Sequence, residues 1–160
     1  VAWMHTWGRK LVTNDFGHKW YGQMTLPRIL KKNENGLHQV LPTSVLEAFK
    51  DIEIGQSIKG PSKFSLKLED SLELRLGSDQ DYLQFGYDKE SQEVYIDRGH
   101  LDIQQTGEEE WSTIRRSVTV EAEELLIMID TNCVEIFVNN GQEVLTSTYY
   151  VEGQRTLNTL

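Results

Sequence analysis

Three acidic residues sit where a strand-rich sequence would hold a carboxylate in place: Asp97 in VYIDRG, Asp130 at the end of LLIMID, and Glu135 inside VEIFV. Two opposed carboxyl groups are the machinery of glycoside hydrolysis, one protonating the leaving oxygen while the other attacks the sugar carbon or activates water. Local sequence gives each acid a plainer role. Asp97 precedes Arg98 at a strand end, where an ion pair or bonds from turn amides are the ordinary use of Asp. Asp130 opens the turn Thr131-Asn132. In Val134 to Val138, alternation puts Glu135 and Phe137 on one face, so Glu135 is expected on the solvent side if the other face packs inward. Nothing in the spacing brings two acids together.

Other reactive residues offer less. His5, His18, His38 and His100 are scattered, with no H-x-x-x-H or H-x-H spacing to place two imidazoles on one metal, and are expected on the surface or in loops. Cys133, the single cysteine, excludes an internal disulfide and a Cys-based zinc cluster. It sits in an apolar run with no neighbouring base or cationic cluster to lower its pKa, as a buried structural thiol does. No G-x-S-x-G elbow, P-loop or dinucleotide glycine pattern occurs, so acyl transfer and nucleotide chemistry have no foothold. No metal and no cofactor is implied.

Charge narrows the partners. With 16 basic and 25 acidic residues the net charge is −9 and the pI about 4.9, which repels phosphate backbones and anionic lipid surfaces. No nucleic acid or membrane partner is expected. No stretch approaches the roughly 20 apolar residues needed to cross a bilayer, and LLIMI at 125–129 is only of strand length. VAWMHTWGRK lacks the layout of a signal peptide, which favours a cytoplasmic location. A chain that begins at Val1 on a strand-like run reads as a fragment, however, and secretion directed by a missing N-terminus stays open.

The elements that would position these residues are strands. From residue 51 onward apolar and polar residues alternate: Phe64, Leu66 and Leu68, then Leu72, Leu74 and Leu76. Further strands are expected at Ile52 to Ile58, Tyr82 to Tyr87, Glu93 to Asp97, Ser117 to Ala122 and Leu125 to Asp130. Val134 to Val138 and Val144 to Tyr149 form a hairpin about Asn140-Gly141, a dipeptide suited to a two-residue type I′ turn. Closely spaced turn signals favour an all-β, antiparallel two-sheet sandwich over βαβ units. The run Glu108-Glu109-Glu110 reads as a solvated loop. Residues 1–50 differ, holding Trp3, Trp7 and Trp20 and only one helix signal, the weak capping box Ser44 to Glu47 leading into Ala48 and Phe49. That helix reads as a connector of one or two turns.

Taken together, ELLIMIDTNCVEIFVNNGQEVLTSTYY resembles the closing motif of glycoside hydrolase family 32, the β-fructosidases. The family pattern runs from an apolar strand through Asp-Arg-Ser-Ser and Val-Glu-Val-Phe-Val-Asn-Asp-Gly to a strand ending Leu-Thr-Ser. Asp130, Val134, Glu135, Phe137, Val138, Asn139, Gly141, Leu145, Thr146 and Ser147 match it. VYIDRG at 94–99 resembles the family's apolar-Asp-Arg strand, and AWMHTW, WYGQMTLPRIL and NGLHQVLP resemble the end of its catalytic domain. Thr131, Asn132 and Cys133 depart from Arg-Ser-Ser, and Gly99-His100 from the hydroxyl residues that commonly follow Asp-Arg.

The resemblance implies a five-bladed propeller followed by a sandwich. By it, residues 1–30 are the end of the propeller, 31–50 the linker and 51–160 the C-terminal sandwich. The parent enzyme would cleave terminal β-fructofuranosyl bonds of sucrose, sucrose-6-phosphate or a fructan by the retaining mechanism. Its nucleophile block Asn-Asp-Pro-Asn, its Arg-Asp-Pro and its Glu-Cys acid/base motif are all absent, so no catalytic residue lies in this chain. Asn14-Asp15-Phe16 is no substitute. Trp3 and Trp7, four apart on one face of a strand, are the candidate substrate-binding residues, since the family places a tryptophan from this region near its fructose subsite; propeller core is the competing role. The expected partners are the chain's own N-terminal propeller, the fructoside substrate and a second copy in a homo-oligomer. A stand-alone lectin-like sandwich, marked by exposed aromatics on 82–87 or 149–150, and a pure assembly domain remain the alternatives.

Overall fold

The computed structural model describes residues 1–4, 17, 22–34, 36–104 and 114–160. A hairpin of β1 (Ile29–Asn33) and β2 (Gly36–Val40) leads into helix α1 (Thr43–Ala48). Eleven strands follow, forming two sheets: β3 (Lys50–Asp51), β4 (Ser57–Ile58), β5 (Ser62–Lys67), β6 (Leu72–Gly77), β7 (Tyr82–Asp88), β8 (Glu93–Asp97), β9 (Arg115–Thr119), β10 (Glu124–Ile129), β11 (Cys133–Val138), β12 (Glu143–Thr148) and β13 (Arg155–Thr159). One sheet has the order β12-β11-β10-β5-β3 and the other β4-β13-β6-β7-β8-β9. Every pairing is antiparallel except the short β3–β5 contact, so the expected antiparallel sandwich is what forms.

Alternation explains the core. Leu74 and Leu76, Leu83 and Phe85, and Val94 and Ile96 point inward from the six-stranded sheet. They meet Leu125, Ile127 and Ile129 of β10 and Val134, Ile136 and Val138 of β11, all essentially free of solvent. Each such side chain contributes roughly 1.5–3 kcal/mol by leaving water.

A second, smaller core lies on the opposite face of the five-stranded sheet. Met128 and Phe137 pack there against Leu41 and Phe49, with Leu26, Val45 and Leu46 alongside. Leu26, Leu41, Val45, Leu46 and Phe49 therefore cover a sheet face that would otherwise meet water, and β11 is buried on both sides. This overturns the expectation for Glu135: it does share a face with Phe137, but that face is roofed, and Glu135 is 1% exposed.

Four other expectations are corrected. Ile52 to Ile58 is not one strand. Gly55, at φ +88°, turns the chain between β3 in one sheet and β4 in the other, and its amide donates to Leu157 O at 2.6 Å. The β11–β12 turn is four residues, not two, since Val138 pairs with Glu143. Asn139, Asn140 and Gly141 all take positive φ, and the Asn139 side chain accepts from Glu123 N and donates to Glu121 O, both at 2.8 Å. That lateral use of Asn139 drives the longer turn. The strand expected at Ser117 to Ala122 lies earlier, at Arg115–Thr119.

The capping box does not form either. Helix α1 starts at Thr43 after Pro42 and has no side-chain cap, so Ser44 lies inside the first turn. Its C-terminal end is held instead by Lys63 Nζ, which donates to Leu46 O at 2.9 Å and Phe49 O at 2.8 Å.

Tyr149 closes the sandwich where β10 ends. It is 1% exposed, its hydroxyl donates to Asp130 O at 2.9 Å and it accepts from Arg155 Nη1 at 2.8 Å. Burial pushes its phenol up to about 12 from 10.0. The unfolded chain loses this proton near 10 while the folded chain keeps it, so stability falls as pH rises through that window, by up to about 1.4 kcal/mol per pH unit. Tyr95, on the other sheet, is raised the same way by burial. Tyr149→Phe is expected to reduce the alkaline slope of unfolding free energy without abolishing it, at a cost of about 1 kcal/mol at neutral pH. Urea unfolding from pH 8 to 11 measures both, and an unchanged slope would count against the assignment.

Candidate functional site

Trp3 lies opposite Met24 in a short antiparallel contact. Met4 N donates to Gln23 O at 2.8 Å, Thr25 N to Ala2 O at 2.9 Å, and Ala2 N to Thr25 Oγ1 at 2.9 Å. Trp3 is 56% exposed and Met24 52%. Trp7, the other substrate-binding candidate, lies outside the described residues, as do His5, His18 and the run Glu108-Glu109-Glu110.

Beyond Thr25 the chain drops onto the outer face of β10 and β11. Pro27 fixes its own φ and disfavours a helical Leu26, so Leu26-Pro27-Arg28 runs extended. Both residues flanking the proline reach Glu135. Leu26 N donates to Glu135 Oε1 at 2.6 Å, and Arg28 Nη2 donates to Glu135 Oε2 at 2.5 Å. The same nitrogen donates to Thr146 Oγ1 at 2.8 Å, and Nη1 donates to Gln39 Oε1 at 2.8 Å. The guanidinium carbon lies 5.4 Å from the centre of the Phe137 ring. One guanidinium thus ties together β2, β11 and β12.

Beside this network is a pocket of about 430 Å³ between Gln23, Met24 and Leu26 on one side and Met128, Cys133 and Phe49 on the other. Asp130 and Glu135 also line it. Hydrogen bonding decides what these two acids can do. Both Glu135 oxygens are engaged, and Asp130 Oδ1 accepts from Thr131 N at 2.7 Å, the turn-opening role expected of it. Glu135 therefore has no free oxygen for proton transfer, and the bonds made to Asp130 Oδ1 serve its turn. Asp97 belongs to the other sheet, where Gly99 N donates to it at 2.7 Å and Arg115 Nη1 stands 3.7 Å away, again as expected.

Cys133 is buried, with its Sγ 3.7 Å from Met4 Sδ. Burial, then the charges of Glu135 and Asp130, push its thiol far above the usual range, so it is the inert structural cysteine the sequence suggested. His100 stacks on Tyr82 at 4.6 Å, and His38 is half-buried on β2. Among the described residues no group of three or more His, Cys, Asp or Glu side chains could hold a metal, and no helix is long and apolar enough to cross a membrane. Of the aromatics on 82–87 and 149–150, Phe85, Tyr87 and Tyr149 face the core, the Tyr150 hydroxyl accepts from Gln23, and Tyr82 is half-buried with its ring stacked on His100, so they form no open aromatic platform for sugar.

Sequence reasoning missed Leu26 and Arg28 as the donors to Glu135, and Gln39 and Thr146 as the further acceptors of Arg28. One signal was available: a lone acid within an otherwise apolar strand demands a cation, and Arg28 is the basic residue set between the apolar Leu26-Pro27 and Ile29-Leu30.

Fold and site together describe a β-sandwich module clamped to a preceding segment of its own chain. The family model for "Glycosyl hydrolases family 32 C terminal" matches residues 22–159. The sucrose-6-phosphate hydrolase of Vibrio alginolyticus is 27% identical over 160 residues, covering 95% of this chain and 32% of that protein. The invertase of Kluyveromyces lactis is 31% identical over 76 residues, or 44% of this chain and 12% of the invertase. Among solved structures, the sucrose-6-phosphate hydrolase of Lactobacillus gasseri superposes with a TM-score of 0.73 at 16% identity, covering 97% of this chain and 35% of that one. The Bombyx mori GH32 beta-fructofuranosidase gives 0.69 at 15%, covering 98% and 34%. Likenesses at that identity are of fold. The chain belongs to glycoside hydrolase family 32, as a C-terminal portion, and spans about a third or less of the length of these relatives.

Proposed function

We propose that this chain is the C-terminal support of an enzyme that hydrolyses terminal β-fructofuranosyl bonds by the retaining mechanism, its reactive carboxylates carried on an upstream propeller. The matched relatives are a sucrose-6-phosphate hydrolase and an invertase, which supports sucrose or its phosphate ester as the substrate class. Residues 1–30 are read as the end of the catalytic domain, 31–50 as the connector and 51–160 as the sandwich, since Lys50 opens the first strand to join a sandwich sheet.

The carrying observation is where apolar surface remains open. Of the nine exposed large hydrophobic residues among those described, six fall in the first forty positions, Val1, Trp3, Met24, Ile29, Leu30 and Leu37, and three lie elsewhere, Ile54, Ile114 and Leu160. Apolar surface concentrated in this way marks an interface, and its place in the segment read as the end of the catalytic domain supports the upstream domain as what covers it. Trp3 belongs to that open surface, where an aromatic ring would stack on a fructosyl ring or complete the propeller core.

The test compares this 160-residue fragment with the full-length polypeptide on sucrose and sucrose-6-phosphate. Full-length protein is expected to release fructose and the fragment none. Turnover by the fragment, or an inactive full-length protein, would overturn the proposal. Sedimentation of the same samples reads the homo-oligomer.

A further inference from the structure

We infer that Glu135 is a positioning residue: it pins the segment that carries Trp3's pairing partner to the sandwich, and so sets the geometry of substrate binding from outside the catalytic domain. Its effect on substrate rests on the β-fructosidase reading; the pin itself does not.

The path is short. Glu135 Oε1 accepts from the amide of Leu26 at 2.6 Å, and Leu26 directly follows Thr25, whose own amide holds Ala2 O at 2.9 Å beside the Trp3–Met24 bridge. Arg28 secures the same segment from its other end through Glu135 Oε2, Thr146 Oγ1 and Gln39 Oε1. Apolar cover alone would let Leu26 slide over Met128 and Phe137, because hydrophobic contact is non-directional. A fully engaged carboxylate at 1% exposure allows one register only. A buried ion pair is often no more stabilising than apolar residues of the same size, so what this one adds is registry.

Loosening the pin should therefore weaken substrate binding and leave the chemical step alone, since the reacting carboxylates lie elsewhere. In the full-length polypeptide, Glu135→Gln is expected to speed amide exchange across residues 22–28 by about tenfold while β10 stays protected. KM should rise about fivefold with kcat within about twofold of wild type. Thr146→Val, which removes one arm of the Arg28 fork, should shift both in the same direction and carries the test if Glu135→Gln does not fold. Val144→Ala is the control, since it thins the apolar contact on the same face without touching the pin. It should lower the melting temperature and leave KM unchanged.

Unchanged exchange at 22–28 in both pin variants would overturn the inference, and so would a KM rise that Val144→Ala reproduces. A wild-type protein inactive on fructosides would overturn the functional reading and the effect on KM, while exchange would still judge the pin.

Discussion

Gly141→Ala is expected to cost about 3 kcal/mol or more of folding stability, combining a left-handed backbone penalty with a main-chain collision. Gly141 sits at φ +84°, and a Cβ built there would lie 2.1 Å from Gln39 O and 2.7 Å from Gln39 C. Those are backbone atoms of β2, so no side chain can rotate away. Relief requires the β11–β12 turn to lift off β2, and Gln39 is also the acceptor for Arg28 Nη1. Gly55→Ala provides the comparison. Gly55 has a similar φ of +88° with nothing within 4 Å of the added methyl, so it should cost only the conformational part, about 1 kcal/mol. For a domain of this size 1 kcal/mol shifts the melting temperature by about 2–4 °C. The two variants should therefore separate clearly in thermal unfolding. Equal losses would mean that β2 does not press on the turn.

The same turn shows how far the sequence could be read. The arms of its hairpin were legible because β-branched and aromatic residues alternate on both sides of Asn140-Gly141. Its length was not, because Asn139 bonds to the chain entering β10, a partner 16 residues away. The strands β5 to β8, β10, β11 and β12 were legible from period-two alternation. β13 was not: Arg155-Thr156-Leu157-Asn158-Thr159 has a single apolar residue and becomes a strand by lying between β4 and β6.

For the candidate site the limit is sharper. Periodicity states which residues share a face and is silent on what covers it. Glu135 was correctly paired with Phe137, yet its surroundings come from Leu26 and Arg28, 109 and 107 residues away. Trp3 was singled out from its sequence spacing to Trp7, which is silent on the short bridge it makes with Met24.

Removing Arg28 should show what that distant contact carries. In Arg28→Met the Glu135 carboxylate remains at 1% exposure with one backbone amide and no counter-charge, a situation that costs about 3–5 kcal/mol. Thr146 and Gln39 lose a donor as well. Adding Glu135→Gln to Arg28→Met removes the stranded charge and keeps an acceptor for Leu26 N, so the double variant should recover about 2 kcal/mol relative to the sum of the single losses. Urea unfolding of the four proteins in the cycle measures this coupling. Because the pair is buried, about 1 M salt should leave the coupling nearly unchanged, whereas an exposed pair would be screened. Additive losses, or a coupling that salt abolishes, would place Arg28 and Glu135 in solvent contact and remove the basis for a pinned register.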